Sequence, residues 1–98
     1  MNELFETDAF SELSEELDGR EVIWMKKMKA QLRESLLVGK PLRCEWFREK
    51  KFGNKRLFYV INQETSKVLL VSFATKKRQQ ETIEHVLKNK AEYLNLLR

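Results

Sequence analysis

The sequence predicts an α+β domain in which an N-terminal helical pair packs on an antiparallel sheet and a further helix closes the chain. Three observations carry this. Apolar residues recur at 3/4 spacing before residue 38, alternating aromatic-rich runs follow between residues 42 and 74, and helical spacing resumes after residue 78. Ninety-eight residues with 42% hydrophobic content suit a single domain over 1–98 with one core. Three Gly and one Pro are too few for a linker or a disordered chain.

Leu4 and Phe5 open a short strand. Asp8 is the expected cap of a helix over residues 9–18, with Phe10, Leu13 and Leu17 on one face and Gly19 ending it. A second helix is expected over residues 21–37. Val22, Met25, Met28, Leu32 and Leu36 form its apolar stripe, and Lys26, Lys27, Lys29 and Arg33 cover its other faces. Gly39 and Pro41 stop it. Residues 42–51 alternate as one strand, with Leu42, Cys44 and Trp46 on one face and Arg43, Glu45 and Phe47 on the other. Gly53-Asn54 is a hairpin turn signal. Residues 56–62 form the next strand, 62–66 turn the chain, and the apolar run 68–74 reads as a central strand covered on both faces. A last helix over residues 78–97 turns Ile83, Val86, Leu87, Leu94 and Leu97 inward. The expected order is strand, helix, helix, three-stranded meander, helix.

The net charge of +4 hides an asymmetry. Residues 1–18 carry seven acidic groups and no Lys or Arg, a charge of −7; the other 80 residues hold all 19 basic side chains against 8 acidic ones, a charge of +11. A basic body points to a polyanionic partner or an acidic protein. No apolar run approaches the roughly 20 residues that span a bilayer. MNELFETDAF lacks a basic n-region and apolar h-region, so no secretory signal is expected. One cysteine, Cys44, forms no internal disulfide and fits a reducing cytoplasm. One Cys and one His supply no transition-metal ligand set, and no Gly-rich phosphate loop is present, so neither a metal nor a small-molecule cofactor is expected.

Two basic clusters adjoin the strand-like runs: WFREKKFGNKRLFYVI over residues 46–61 and VLLVSFATKKRQQ over residues 68–80. A buried strand fixes its backbone, so cations at its end hold defined positions suited to phosphate or to charge developing on it.

The piece KRLFYVINQETSKVLLVSFATKK resembles the signature of the RelE/ParE superfamily of bacterial and archaeal toxins. KPLRCEWFREKK resembles that family's first hairpin strand. QQETIEHVLKNKAEYL resembles the C-terminal helix of its phage-derived and HigB-like branch. The resemblance runs from about Leu13 to Leu97. It implies the toxin of a type II toxin–antitoxin pair, a metal-independent endoribonuclease that cleaves mRNA at the ribosome by attack of a 2′-hydroxyl on the adjacent phosphate. The implied partners are a cognate antitoxin, mRNA and the ribosome in the cytoplasm, with no membrane. A second reading is a catalytically inactive or gyrase-inhibiting binding protein of the same fold, and a third is a plain nucleic-acid-binding protein.

Carried over by position, Arg56 matches the family's phosphate-binding Arg. Lys76 and Lys77 match its basic motif after the apolar strand, and Arg48 and Lys50 its basic pair on the preceding strand. His85 and Tyr93 are the candidates for the C-terminal catalytic position. Lys51, Lys55, Arg78 and Arg43 are expected to aid RNA binding. His85 reads either as catalytic or as the edge of a packed face. Tyr59 reads as core or as a base-stacking ring. Trp24 and Trp46 read as core, antitoxin contact or base stacking.

Overall fold

In the computed structural model the chain runs β1 (Glu3–Glu6), α1 (Asp8–Ser14), α2 (Gly19–Glu34), β2 (Lys40–Cys44), β3 (Phe47–Phe52), β4 (Lys55–Asn62), β5 (Lys67–Thr75), α3 (Lys76–Lys88) and α4 (Lys90–Asn95). The structure describes the backbone of all 98 residues and every side chain except those of Lys76 and Gln79. Five strands form one sheet in the order β1-β5-β4-β3-β2. β2 to β5 are joined antiparallel, and β1 lies parallel to β5 at one edge.

The sheet is covered on both faces. Phe10, Met25, Met28 and Leu32 from α1 and α2 pack on Leu57, Tyr59, Ile61, Val68, Leu70 and Phe73. Ile83, Val86 and Leu97 pack on Phe47, Phe58, Val60, Leu69 and Val71 from the other side. The near-continuous apolar runs of β4 and β5 follow from this double burial. The predicted Met stripe is core, and so is Tyr59.

The structure differs from the sequence reading in five places. Thr7, not Asp8, caps α1, its hydroxyl accepting from the Phe10 N–H at 3.1 Å. Gly19 does not end a helix; it is the first residue of α2. Asp18 and Glu21 form a reciprocal capping box, at 2.9 Å from the Glu21 N–H to Asp18 and 3.1 Å from the Asp18 N–H to Glu21, and that satisfies the orphan donors of a helix start. α2 stops at Glu34, with Ser35 as its extended C-cap, three residues before Leu37. The single strand expected over 42–51 is two strands, because the chain turns at Glu45-Trp46. The last helix is broken at Asn89 into α3 and α4. The meander therefore has four strands, and the strand at Leu4-Phe5 joins it as a fifth.

Candidate active site

Strand alternation sorts the cations. In β4, Leu57, Tyr59 and Ile61 enter the α1/α2 core, while Phe58 and Val60 enter the α3/α4 core. Arg56 therefore falls on the α3/α4 face. Cross-strand partners share a face. Lys51 lies opposite Arg56, and Glu49 opposite Phe58. On β5, Ala74 lies opposite Arg56 and Ser72 opposite Phe58. Lys40 of β2 pairs with Glu49 and joins the same face.

The centre of this cluster is Glu49. Its side chain is only 4% exposed, and Arg56 Nη1 lies 3.4 Å from Oε2 while Lys40 Nζ lies 4.0 Å from Oε1. A buried carboxylate is tolerated only when cations and hydrogen bonds offset its lost hydration. Here Arg56, itself largely covered, supplies the closer charge, and the exposed Lys40 supplies a looser one. β5 passes directly into α3 at Thr75, so the exposed Lys77 and Arg78 sit just beyond the strand end that flanks Arg56. Lys76 begins the same helix, but its side chain lies outside the described residues.

Arg48 and Lys50 do not join this group. They pair with Tyr59 and Leu57 and so fall on the opposite face, because a shift of one residue along a strand exchanges faces. The Arg48 guanidinium is buried and tied to backbone. Nη2 donates to the Gly39 carbonyl at 2.7 Å, Nη1 approaches the Glu45 carbonyl at 3.5 Å, and Nε has no partner. The Gly39 N–H in turn donates to the Tyr59 hydroxyl at 2.7 Å. Burial holds the Tyr59 phenol above its ordinary value, against the opposing pull of the Gly39 N–H and the Arg48 charge.

Lys55 also turns away from Arg56. It meets Glu21 at 2.6 Å and lies 5.3 Å from the Phe73 ring centre, tying the hairpin to the start of α2. Arg43 is exposed on β2 at the sheet edge. His85 is exposed on α3, with Nδ1 2.9 Å from the Tyr93 hydroxyl. Both line a hollow shared with Thr7, Ser72, Glu81 and Thr82, into which no Lys or Arg described there projects. Burial, and then the neighbouring Glu92 carboxylate, raise the Tyr93 phenol, so it stays protonated at neutral pH. Trp24 packs against Phe52 and Phe73 with ring centres 4.9 and 5.6 Å away, a core position. Trp46 stacks on Phe47, and the Lys90 ammonium lies 5.6 Å from its ring centre.

Glu49 and Lys40 were missed in the sequence reading, although one signal was present. Counting outward from the two-residue turn at Gly53-Asn54 pairs Phe52 with Lys55 and Lys51 with Arg56, which places Glu49 and Lys51 beside Arg56. Among the described residues no group of three or more His, Cys, Asp or Glu side chains could hold a metal ion.

No protein-family model matches the chain, and no curated protein matches it in sequence. Solved structures do match. The isolated RelE toxin of E. coli superposes with a TM-score of 0.68 at 17% identity, over 88% of this chain and 99% of that one. The chain has the RelE toxin fold. A variant of E. coli RelE with two arginines replaced by alanine, in complex with a peptide of the antitoxin RelB, gives 0.67 at 17% identity, over 82% and 92%. The toxin–antitoxin complex RelBE2 of Mycobacterium tuberculosis gives 0.62 at 26% identity, over 76% and 98%. The RelE fold thus extends over nearly the whole of each matched toxin. Among the described residues, no helix of this RelE-fold chain is long and apolar enough to cross a membrane.

Proposed function

We propose that this chain is the toxin of a toxin–antitoxin pair and that it cleaves mRNA in the cytoplasm, at the ribosome, without a metal. The observation that carries this reading is the Arg56–Glu49 pair, a cation and a buried carboxylate held side by side on the sheet face that also bears Lys51 and Lys40. The RelE fold and the two antitoxin-bound structures among its neighbours support an antitoxin as partner.

The chemistry follows from the pair. At 3.4 Å the Arg56–Glu49 contact is loose. A phosphodiester entering the face offers the guanidinium a planar, bidentate anion and draws it off the carboxylate. Glu49 is then left on the same face with its carboxylate free of Arg56. It accepts a proton from the ribose 2′-hydroxyl. The 2′-oxygen attacks the adjacent phosphorus while Arg56 stabilises the charge gathering on the non-bridging oxygens. The P–O5′ bond breaks, and the 5′-oxygen takes a proton from the Lys51 ammonium on the same strand. The products are a 2′,3′-cyclic phosphate and a 5′-hydroxyl. Lys77 and Arg78, and Lys76 by its place in the sequence, draw the RNA towards this face.

The test is expression in bacteria. The intact chain arrests growth and leaves cleaved transcripts. Arg56→Ala is expected to lose the arrest while keeping the far-UV circular dichroism of the parent and melting cooperatively at a lower temperature, because Glu49 loses its closer cation. A fully toxic Arg56→Ala variant would remove Arg56 from the site.

One observation favours the second reading, a binding protein that cuts nothing. His85 and Tyr93, the C-terminal candidates, share a hollow whose described lining includes neither Arg56 nor Glu49 nor any other Lys or Arg. Growth arrest with intact transcripts and an induced DNA-damage response would select that reading.

A further inference from the structure

We propose that a hollow beside Glu49, lined by Lys40, Lys50, Lys51 and the Val38-Gly39 main chain, binds a second phosphodiester of the same RNA strand, next to the scissile one. The inference rests on the nuclease reading and deepens it.

The hollow has a volume of about 340 Å³. It exists because β2 begins at Lys40, opposite Glu49, so β3 runs on past it without a strand on that side. Gly39 fixes the geometry. A Cβ there would overlap the Glu49 carbonyl oxygen and the Tyr59 hydroxyl, so the main chain of Gly39 lies directly against β3. The Glu49 carbonyl therefore points towards the β2 side. By the two-residue period of a strand, the Lys51 N–H points the same way, into the stretch where β2 has not begun.

Lys40, Lys50 and Lys51 thus line a hollow floored by an open strand edge, Lys51 and Lys40 from one face of the sheet and Lys50 from the other. Its one carboxylate, Glu49, is already engaged with Arg56 and Lys40. A backbone N–H with cations around it is an arrangement that takes a phosphate oxygen. The position also fits one strand of RNA. Arg56 on β4 and Lys40 on β2 are two strand spacings apart, about 10 Å. An RNA crossing the sheet from α3 towards β2 would set its reacting phosphate at Arg56 and a neighbouring one in the hollow.

The probe is a 2′-O-methyl RNA oligonucleotide, which cannot be cut because it lacks the attacking hydroxyl. Its affinity is measured against KCl concentration for the parent, for Lys40→Ala/Lys50→Ala and for the control Lys26→Ala/Lys27→Ala on the outer face of α2. Lys40 is 65% exposed, so the site variant is expected to fold, as thermal melting would verify. Each single-strand phosphate contact adds about 0.7 to the log–log salt slope. The site variant is expected to lose about 0.7 from that slope, and the control to lose none. An unchanged slope in the site variant overturns the proposal. So does an equal fall in the control, which would mean bulk charge alone, or equal competition by a polyglutamate peptide, which would mean an acidic protein ligand. Cleavage of unmodified RNA is read separately. A protein that cuts nothing yet shows the expected slope change loses the nuclease reading and keeps the subsite.

Discussion

Glu49 is the residue on which the chemistry turns. It is an acidic side chain in a basic stretch, and composition alone reads it as one charge among many. It is buried between Arg56 and Lys40, and in the proposed mechanism it accepts the 2′-hydroxyl proton once a phosphate has drawn Arg56 away. Arg56 was singled out in the sequence because it precedes an apolar strand at the position of the family's phosphate-binding Arg, and the structure sets it beside Glu49. Glu49 itself was not singled out, because its role depends on which face of β3 it occupies, and Arg48 and Lys50 were the more conspicuous cations. The Arg48–Gly39–Tyr59 contacts on the other face make a separate prediction. Gly39→Ala forces a methyl group into the Glu49 carbonyl and the Tyr59 hydroxyl, and is expected to destabilise the fold by about 1–3 kcal/mol in urea denaturation. Tyr59→Phe removes the acceptor of the half-buried Gly39 N–H and should cost about 1 kcal/mol at pH 7. The Tyr59 phenol is raised by burial, so its favourable protonated state is fully present below its unfolded value near 10 and is lost as pH climbs through the higher folded value. The stability gap between the parent and Tyr59→Phe should therefore narrow above about pH 10. A gap that stays constant there would mean that the phenol is not the group being held protonated.

At the level of elements, the β3–β4 hairpin does most of the positioning. Gly53, with φ of 61°, supplies the left-handed residue that its two-residue turn needs, and this turn sets the register that brings Glu49 and Lys51 beside Arg56. Lys55 then ties the turn end of the hairpin to Glu21, a residue that also closes the α2 capping box. The hairpin, the Met stripe of α2 and the doubly covered β5 were all legible, because each has a strong period or turn signal. The turn at Glu45-Trp46 was not, since alternation continues across it without Gly or Pro. The start of α2 was also misread, because Gly19 resembles a helix stop while the capping pair Asp18 and Glu21 straddles it. Asp18→Ala removes one half of that box and is expected to cost about 1 kcal/mol in thermal or urea unfolding. No loss of stability would mean that Glu21 and Lys55 alone hold the junction.

Across the whole molecule, sheet order turns the charge asymmetry of the sequence into a directional surface. β1, beside the acidic α1, forms one edge, while Lys40, Lys51 and Arg56 gather towards the β2 side of the sheet. Such an arrangement presents one side to a polyanion and repels it from the other. The overall balance of charge was visible in the sequence. Its separation in space was not, because it depends on β1 crossing to pair with β5 rather than with the strand nearest in the chain. The α3/α4 face then combines a rigid floor, a buried carboxylate and converging cations, which strand-scission chemistry requires and simple charge attraction does not. The most direct measurement is the end-group analysis of RNA cut by purified protein on programmed ribosomes in a chelating buffer. The account predicts 2′,3′-cyclic phosphate and 5′-hydroxyl ends that appear with the parent protein and vanish with Arg56→Ala and Glu49→Gln. Cleavage that needs a divalent metal, leaves 5′-phosphate ends, or persists undiminished in both variants would contradict it.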